Sequence, residues 1–253
     1  MKKEPTKTEI PRSFVIPVLD FSANSPYNIS TLLSDLENIP GEVICIFNSI
    51  EVFDKLHNHP RIDKYSFINL NPGRSRSWNI GINMAEGRSA FILNTDIHVS
   101  TSTIEQLESY LYSLDNAVIV GPQGKNINFE DLSIVKSFDK GTFNEPVQTH
   151  DISGTLFAIQ LDRYLKHHLM YDVQFSPCFY EEWDMGLQII QAGLACYAVP
   201  VKDFEHHVET SQEKDPSLNY FGRELTREKI LTENRERFEA KWLQSTSDDK
   251  QPT

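Results

Sequence analysis

Short apolar runs alternate along the chain with segments in which apolar residues recur every three or four positions. The runs predict strands that are buried on both faces of a sheet, and the segments between them predict helices that pack against it. This alternation is typical of an α/β fold in which helices flank a mostly parallel sheet. The predicted strands are at residues 14–19, 42–47, 65–70, 90–93, 117–120, 151–159 and 196–199.

Residues 71–100 combine a glycine-containing turn, a helix, a buried strand and a polar cluster. Ser75 is predicted to cap the helix, and Gly87 stands where a left-handed residue would end it. Asp96 and His98 follow the strand, at the edge where open α/β sheets bind ligands. A carboxylate and an imidazole two residues apart could hold one divalent cation there.

Acidic residues crowd the first turn of a later predicted helix, at Glu181, Glu182 and Asp184. A helix dipole favours negative charge at its N-terminus, so these residues are either a helix start or the source of a catalytic base. Leu187 and Ile190 are predicted to lie on the buried face of this helix.

The composition is that of an ordinary globular protein, with 39% hydrophobic and 24% charged residues among 253. A net charge of −12 disfavours a duplex nucleic-acid binder and broad adhesion to anionic lipid. The sequence has no apolar run near the ~20 residues of a membrane helix, and its N-terminus lacks the apolar segment of a signal peptide. We therefore expect a cytoplasmic protein with no transmembrane segment and no nucleic-acid partner.

The central segment resembles the signature of family 2 glycosyltransferases of the GT-A fold in four places, which are Asn71-x-Gly73, Asn79-x-Gly81, Gly87 and Leu93-Asn94-x-Asp96. Further motifs of that family follow in the same order: Ser-Gly at 153–154, Glu-Glu-Trp-Asp at 181–184, His at 206, and a closing Asn-x-x-x-Phe-x-x-Lys-Trp helix at 234–242. Each motif is weak alone, and their order carries the resemblance. The chain is similar to the rhamnosyltransferase-like branch of the family.

The resemblance implies one GT-A domain with a Rossmann-like, mixed and mostly parallel sheet. The domain is expected at residues 13–243, with a nucleotide-sugar half at about 13–100 and an acceptor half at about 101–243 that ends in a C-terminal helix. A disordered lead at residues 1–12 and a disordered tail at 244–253 are expected to flank it.

The activity that the resemblance implies is transfer of a sugar from a nucleotide-sugar donor to a hydroxyl group, with inversion at the anomeric carbon. The acceptor would be a glycan, a lipid-linked molecule or a protein. The implied donor contacts are Pro17, Asp20, Asn48, Asn71, Gly73, Asn79, Asn94, Asp96 and Gly154. The family usually has an Asp after the second strand, where this chain has Phe47-Asn48, and this departure leaves the nucleotide open.

A divalent cation, Mn or Mg, is implied by the same resemblance, with Asp96 as its first ligand and His98 and His206 as further candidates. Adjacent histidines at 206 and 207 are equally well explained as a polar strand edge. The implied catalytic base is Glu182. Since the family more often has Asp at that position, Asp184 is the alternative base.

Two other functions are open at this stage. One is a nucleotidyltransferase on a related α/β sheet, which the absence of a glycine-rich phosphate loop after the first strand disfavours. The other is a catalytically weak GT-A-like module that binds nucleotide-sugar, which the replaced base-contacting Asp favours.

Overall fold

The computed structural model describes residues 10–21, 25–207 and 216–243. Of the ends predicted to be disordered, residues 1–9 and 244–253 lie outside the described residues, whereas Arg12 already begins the first strand. Within the described ranges, no helix is both long and apolar enough to cross a membrane.

The strands, numbered in chain order, are β1 (Arg12–Val18), β2 (Glu42–Phe47), β3 (Lys64–Phe67), β4 (Ser89–Leu93), β5 (Ile97–Val99), β6 (Ala117–Gly121), β7 (Gly124–Asn128), β8 (Ser133–Phe138), β9 (Val147–Thr149), β10 (Asp151–Ile152), β11 (Leu156–Gln160), β12 (Ala195–Ala198), β13 (Phe204–His206), β14 (Ser217–Tyr220) and β15 (Arg223–Thr226). The helices are α1 (Ile29–Asp35), α2 (Ile50–Leu56), α3 (Arg74–Met84), α4 (Thr101–Ser113), α5 (Leu161–Lys166), α6 (Glu181–Gln191) and α7 (Arg227–Trp242). A 3-10 turn spans Val173–Phe175.

Eight strands form one central sheet in the order β3-β2-β1-β4-β11-β6-β12-β9. The first four in this order are parallel to one another, and β6 is parallel to β12. Strands β11 and β9 run antiparallel to their neighbours. The sheet is therefore mixed and mostly parallel, as predicted. Because β1, β2 and β4 run the same way, their carboxyl ends open at one edge of the sheet.

Helices cover both faces of this sheet, and side chains along β1 alternate between the two resulting cores. Phe14 belongs to the same buried cluster as Leu32 of α1 and Leu107 of α4. Val15 belongs to the opposite cluster, with Trp78 of α3. Successive side chains of a strand point to opposite faces, so burial on both sides requires an unbroken apolar run.

The ends of helix α3 differ from the prediction. The helix begins after Gly73, whose φ of 83° is left-handed, and Ser75 is buried in the first turn instead of capping it. Gly87 is not left-handed. A Cβ at Gly87 would lie 2.6 Å from the Arg12 Cα, so glycine is required there because two backbones pass closely.

Gly186 lets helix α6 pack directly against the segment that precedes β10. A Cβ at this position would lie 1.7 Å from the His150 carbonyl oxygen. We expect Gly186→Ala to lower the free energy of unfolding by about 1–3 kcal/mol or more, because backbone must move to admit the methyl group. Denaturant unfolding measures this change. The control is Gln191→Ala, in the exposed last turn of the same helix, with an expected change within about 0.5 kcal/mol. An unchanged unfolding midpoint for Gly186→Ala would contradict the close packing.

Candidate active site

A cavity of about 370 Å³ opens at the carboxyl ends of β1, β2 and β4, and its size is typical of small-molecule sites. The residues predicted from the sequence that line this pocket are Pro17, Asp20, Asn48, Asn71, Gly73, Asn94, Asp96, Gly154, Glu182 and His206. The predicted residues that do not line it are Asn79, His98 and Asp184. The fold therefore gathers into one pocket residues that are spread from β1 to β13.

Asn48 lies at the end of β2 and presents an unused acceptor. Its backbone N–H donates to the Val18 carbonyl oxygen over 2.8 Å, and its Nδ2 donates to the Ser77 Oγ over 3.1 Å. The residue is 7% exposed, and its Oδ1 is buried with no hydrogen-bond partner among the described residues. A buried acceptor of this kind is costly unless a ligand donates to it.

Asn71 shapes the turn that leads into α3 and also holds the rim of the pocket. Its Oδ1 accepts from the Gly73 backbone N–H over 3.0 Å, and its Nδ2 donates to the Asn219 carbonyl oxygen over 2.8 Å. The turn packs tightly on the loop before α6, since a Cβ at Gly73 would lie 2.8 Å from the Pro177 Cα. Asn71 thus joins the helix start to the hairpin of β14 and β15.

Asp96 and His206 are neighbours in the lining of the pocket. The Asp96 Oδ2 lies 3.6 Å from the His206 Nε2, and both side chains are largely buried. A cation with ligand distances of ~2.1 Å could contact both atoms at this separation. The described residues contain no cluster of three or more His, Cys, Asp or Glu side chains suited to a metal. The pair fits a divalent cation that keeps its other coordination positions for water or a ligand.

His98 is not part of this pair, which corrects the prediction of a third ligand. Its Nδ1 lies 2.9 Å from both carboxylate oxygens of Asp35, and its ring stacks on Tyr27 with the centroids 5.5 Å apart. The physical reason is a turn at Thr95 and Asp96 before β5 begins. Because of this turn, a spacing of two residues does not keep the side chains on one face of a strand.

Asn79 also lies outside the pocket, contrary to the prediction. Its Nδ2 donates to the Tyr171 carbonyl oxygen over 2.7 Å, and its Oδ1 accepts from the Tyr171 N–H over 3.1 Å. Both ends of the amide are therefore used by one backbone unit. Asn79 therefore fastens the loop before α6 to helix α3, and both polar atoms of its side chain bond to the backbone and not to a nucleotide-sugar.

Glu182 is the acid of α6 that reaches the pocket. Its side chain is 19% exposed, and its Oε1 lies 3.7 Å from the Arg74 Nη1. Gly154 makes room for it, because a Cβ there would lie 2.9 Å from the Glu182 Oε1. The neighbouring Glu181 is wholly buried, and burial followed by the charge of Glu182 raises the pKa of Glu181 well above its usual range.

Asp184 points away from the pocket into the interface with α7, which corrects its prediction as a candidate base. It is wholly buried, and its carboxylate accepts from the Trp242 Nε1 over 2.8 Å and from the Gln188 Nε2 over 2.7 Å. The Lys241 Nζ lies 2.7 Å from the same carboxylate. These contacts make Asp184 an anchor between α6 and α7.

The backbone before α6 adopts an uncommon conformation that the sequence did not predict. Phe179 and Tyr180 both have left-handed φ values, 75° and 72°, which cost on the order of 1–3 kcal/mol each in non-glycine residues. The buried Nδ2 of Asn234 donates to the carbonyl oxygens of Phe175, Cys178 and Phe179. Helix α7 thereby holds the turn that directs Glu182 toward the pocket. The sequence signal for this role was Asn234 itself, an amide within the motif of the closing helix.

Basic side chains on the pocket wall were also missed. Arg74 begins α3, Lys125 lies on β7 and Arg227 begins α7, and all three line the pocket. They come from three distant elements, so no spacing in the sequence links them. Their positive charge opposes the acids and favours an anionic ligand.

No protein-family model matches the sequence, and no curated protein matches it. Solved structures resemble the fold. One is GalNAc-T7 with UDP, GalNAc and Mn²⁺, at a TM-score of 0.66 and 15% identity, covering 96% of this chain and 50% of that one.

A second similar protein is TarS 1–349 from S. aureus. Its complex with UDP aligns at a TM-score of 0.52 and 14% identity, covering 77% of this chain and 59% of that one. Its complex with UDP-GlcNAc aligns at 0.53 and 14%, covering 79% and 61%. This chain therefore spans about half to three fifths of those chains. At such identities the likeness shows the fold, which is that of the GT-A glycosyltransferases.

Proposed function

We propose that this protein is a metal-assisted glycosyltransferase of the family 2 type, which moves a sugar from a nucleotide-sugar to an acceptor hydroxyl with inversion. The observation that carries the proposal is the meeting of Asp96, His206 and Glu182 in one pocket of a GT-A fold. That pocket lies where open α/β sheets bind ligands. It joins a cation site, basic walls and a carboxylate, which are the groups that this reaction requires.

The donor nucleotide is proposed to be a uridine or thymidine diphosphate. The free Oδ1 of Asn48 suits the ring N–H of uracil or thymine, which is a hydrogen-bond donor. The structures of GalNAc-T7 and TarS with UDP lend support to a uracil base.

Asn48→Leu is expected to weaken UDP binding by about tenfold, the value of one buried hydrogen bond. Asn48→Asp keeps an acceptor at the same place and is the matched variant, expected to bind UDP more tightly than Asn48→Leu. Isothermal titration calorimetry with UDP measures both. Equal affinities for wild type and Asn48→Leu would place the base elsewhere.

A divalent cation held by Asp96 and His206 would neutralise the charge that builds up on the leaving diphosphate. Arg74, Lys125 and Arg227 line the same pocket and supply further positive charge from the protein. These side chains would bind the diphosphate and hold the donor in a fixed orientation for transfer.

Glu182 is proposed to take the proton of the acceptor hydroxyl as general base. The hydroxyl oxygen then attacks the anomeric carbon opposite the diphosphate, and this single displacement inverts the configuration. The acceptor itself is proposed to be a glycan, a lipid-linked molecule or a protein.

The proposal is tested by thermal-shift measurements with UDP-GlcNAc, UDP-GalNAc, dTDP-rhamnose and GDP-mannose, each with Mn²⁺ or Mg²⁺. A donor at 100 times its Kd should add about 2.7 kcal/mol of stability, and the dTDP-rhamnose arm tests the rhamnosyltransferase-like branch. Release of nucleotide from the stabilising donor is then measured without acceptor. Stabilisation with no turnover would favour a binding module, and no stabilisation by any donor would overturn the proposal.

A further inference from the structure

A small, partly open void lies against Glu182, among residues of α6, β10 and β12. Its volume is about 10 Å³, close to the least that holds one water molecule. Its apolar lining comes from side chains of β6, β10 and α6, and its polar lining comes from Asp151, Tyr171, Glu182 and Cys196. Glu182 borders both the void and the pocket, so it forms the wall between them.

Asp151 presents a buried, unpartnered oxygen in this region. It lies on β10 and is 3% exposed, and its Oδ1 has no hydrogen-bond partner among the described residues. Its carboxylate is held by the Lys125 backbone N–H and by the Trp183 side chain. A buried carboxylate oxygen without a partner is costly unless it carries a proton or meets a water molecule.

The packing of α6 on β10 brings the two acids together. Gly186 lies one helical turn after Glu182, and its missing side chain lets the helix contact the His150 carbonyl oxygen. His150 directly precedes Asp151, so this contact sets Glu182 above β10. A larger residue at 186 would lift Glu182 away from Asp151.

We propose that Asp151 shares a proton with Glu182 through one water molecule in the void, and so receives the proton that Glu182 takes from the acceptor. The inference rests on the proposed glycosyl transfer. Asp151 touches no substrate and acts through Glu182, so it is a positioning residue.

The acceptor oxygen forms a bond to the anomeric carbon, and its proton goes to a Glu182 oxygen. The bond from that carbon to the diphosphate oxygen breaks, and its electron pair leaves on the diphosphate. The proton then passes from Glu182 through the water to the Asp151 Oδ1, and later to solvent.

The charges around Asp151 agree with a shared proton. Burial above all, and then the charge of Glu182, raises the pKa of Asp151 to about 7 against the opposing effect of Lys125 on β7. Burial raises the pKa of the thiol of Cys196, which lies on β12, to about 12. Burial also raises the pKa of Tyr171, which lies in the loop before α6, well above its usual range. Both are therefore neutral near pH 7. Lys125 and Glu182 are the charged neighbours that act on Asp151 in that range.

The first test needs no activity and follows the free energy of unfolding between pH 5 and 8. The pKa of Asp151 is raised from 3.8 to about 7, so between these values the folded state holds a proton that the unfolded state has lost. The stability from this group is full below about pH 4 and is lost as the pH rises through 7. Buried Glu181, whose pKa is also raised, contributes a fall of the same sign. Asp151→Asn should therefore remove the part of the fall that comes from Asp151, whereas Asp162→Asn, at an exposed position on α5, should keep all of it.

Glu182→Gln is the decisive variant in that test, because it leaves Asp151 intact. Removal of the Glu182 charge should move the inflection of stability to lower pH. An inflection that stays in place in Glu182→Gln would overturn proton sharing. Because the charge of Glu182 also raises the pKa of Glu181, a shift supports the inference only where Asp151→Asn abolishes it. An unmoved inflection overturns the inference even if Asp151→Asn does not fold.

The second test is the pH dependence of donor turnover. In the wild type, kcat/KM should rise through about pH 7 as Asp151 ionises. Asp151→Asn should lose that rise. At pH 8 this variant should turn over donor about tenfold more slowly than wild type, with an unchanged KM for donor. A rise retained in Asp151→Asn would overturn the inference and leave the proposed function standing. A wild type that turns over no donor would instead overturn the proposed function, and the stability test would still decide whether the proton is shared.

Discussion

Replacing Glu182 by glutamine is expected to slow sugar transfer by at least ~10²-fold while donor binding stays intact. Glu182 lines the pocket, and its side chain is partly buried beside Arg74. Glutamine keeps the shape of the side chain, but it cannot take the proton of the acceptor hydroxyl. Since the loss arises in the chemical step, kcat should fall and the Kd for donor should stay the same. Steady-state turnover and calorimetry measure these two quantities.

Asp184→Asn is the matched control for this prediction, because it removes a carboxylate two residues away in the same helical turn. Asp184 is wholly buried and bonded to Trp242 and Lys241 of α7. Its replacement should lower the melting temperature and leave the kcat of the folded enzyme within a few-fold of wild type. A loss of kcat that is equal in both variants, or absent from both, would contradict the assignment of Glu182 as base.

The strands of the central sheet were predictable because burial on both faces leaves a continuous apolar run. Strand β2 spans Glu42–Phe47 as predicted, and β1 spans Arg12–Val18 where residues 14–19 were predicted. The strands outside the central sheet were harder to predict. The hairpin of β14 and β15 is largely polar and solvent-accessible, so its sequence carries no hydrophobic pattern.

Helix α6 shows where hydrophobic periodicity misleads. Leu187 and Ile190 were predicted to be buried, yet Ile190 is 45% exposed and the buried face carries Asp184, Met185 and Ile189. A hydropathy pattern treats an acid as a surface residue. Asp184 is buried because cations and donors from α7, far along the chain, reach it, and a local pattern contains no information about them.

The site was predictable in its ligand types and less so in its geometry. The resemblance identified Asp96, His206 and Glu182, and the fold brings all three to one pocket. It could not reveal that His98 turns toward Asp35, because that depends on a turn of the backbone between two strands. Asp151 gave no signal in the sequence, since its importance comes from burial and from the packing of α6.

Asp96→Ala is expected to abolish metal-dependent binding of UDP, with a loss in affinity of at least ~100-fold in the presence of Mn²⁺. Asp96 supplies the negative charge of the proposed cation site, and His206 alone offers a single imidazole nitrogen. Without the cation, the diphosphate loses its strongest positive partner, so donor affinity and metal affinity should fall together.

His98→Ala is the matched control, because His98 lies two residues further on and is bonded to Asp35 outside the pocket. It should bind UDP and Mn²⁺ as the wild type does, whereas His206→Ala should weaken both in the same direction as Asp96→Ala. Calorimetry with UDP at increasing Mn²⁺, together with a melting temperature for each variant, separates lost binding from lost folding. If folded Asp96→Ala binds UDP and Mn²⁺ as tightly as wild type, the cation does not bind at this pair. A loss in His98→Ala that matches the loss in Asp96→Ala would place the cation on the strand β5 instead.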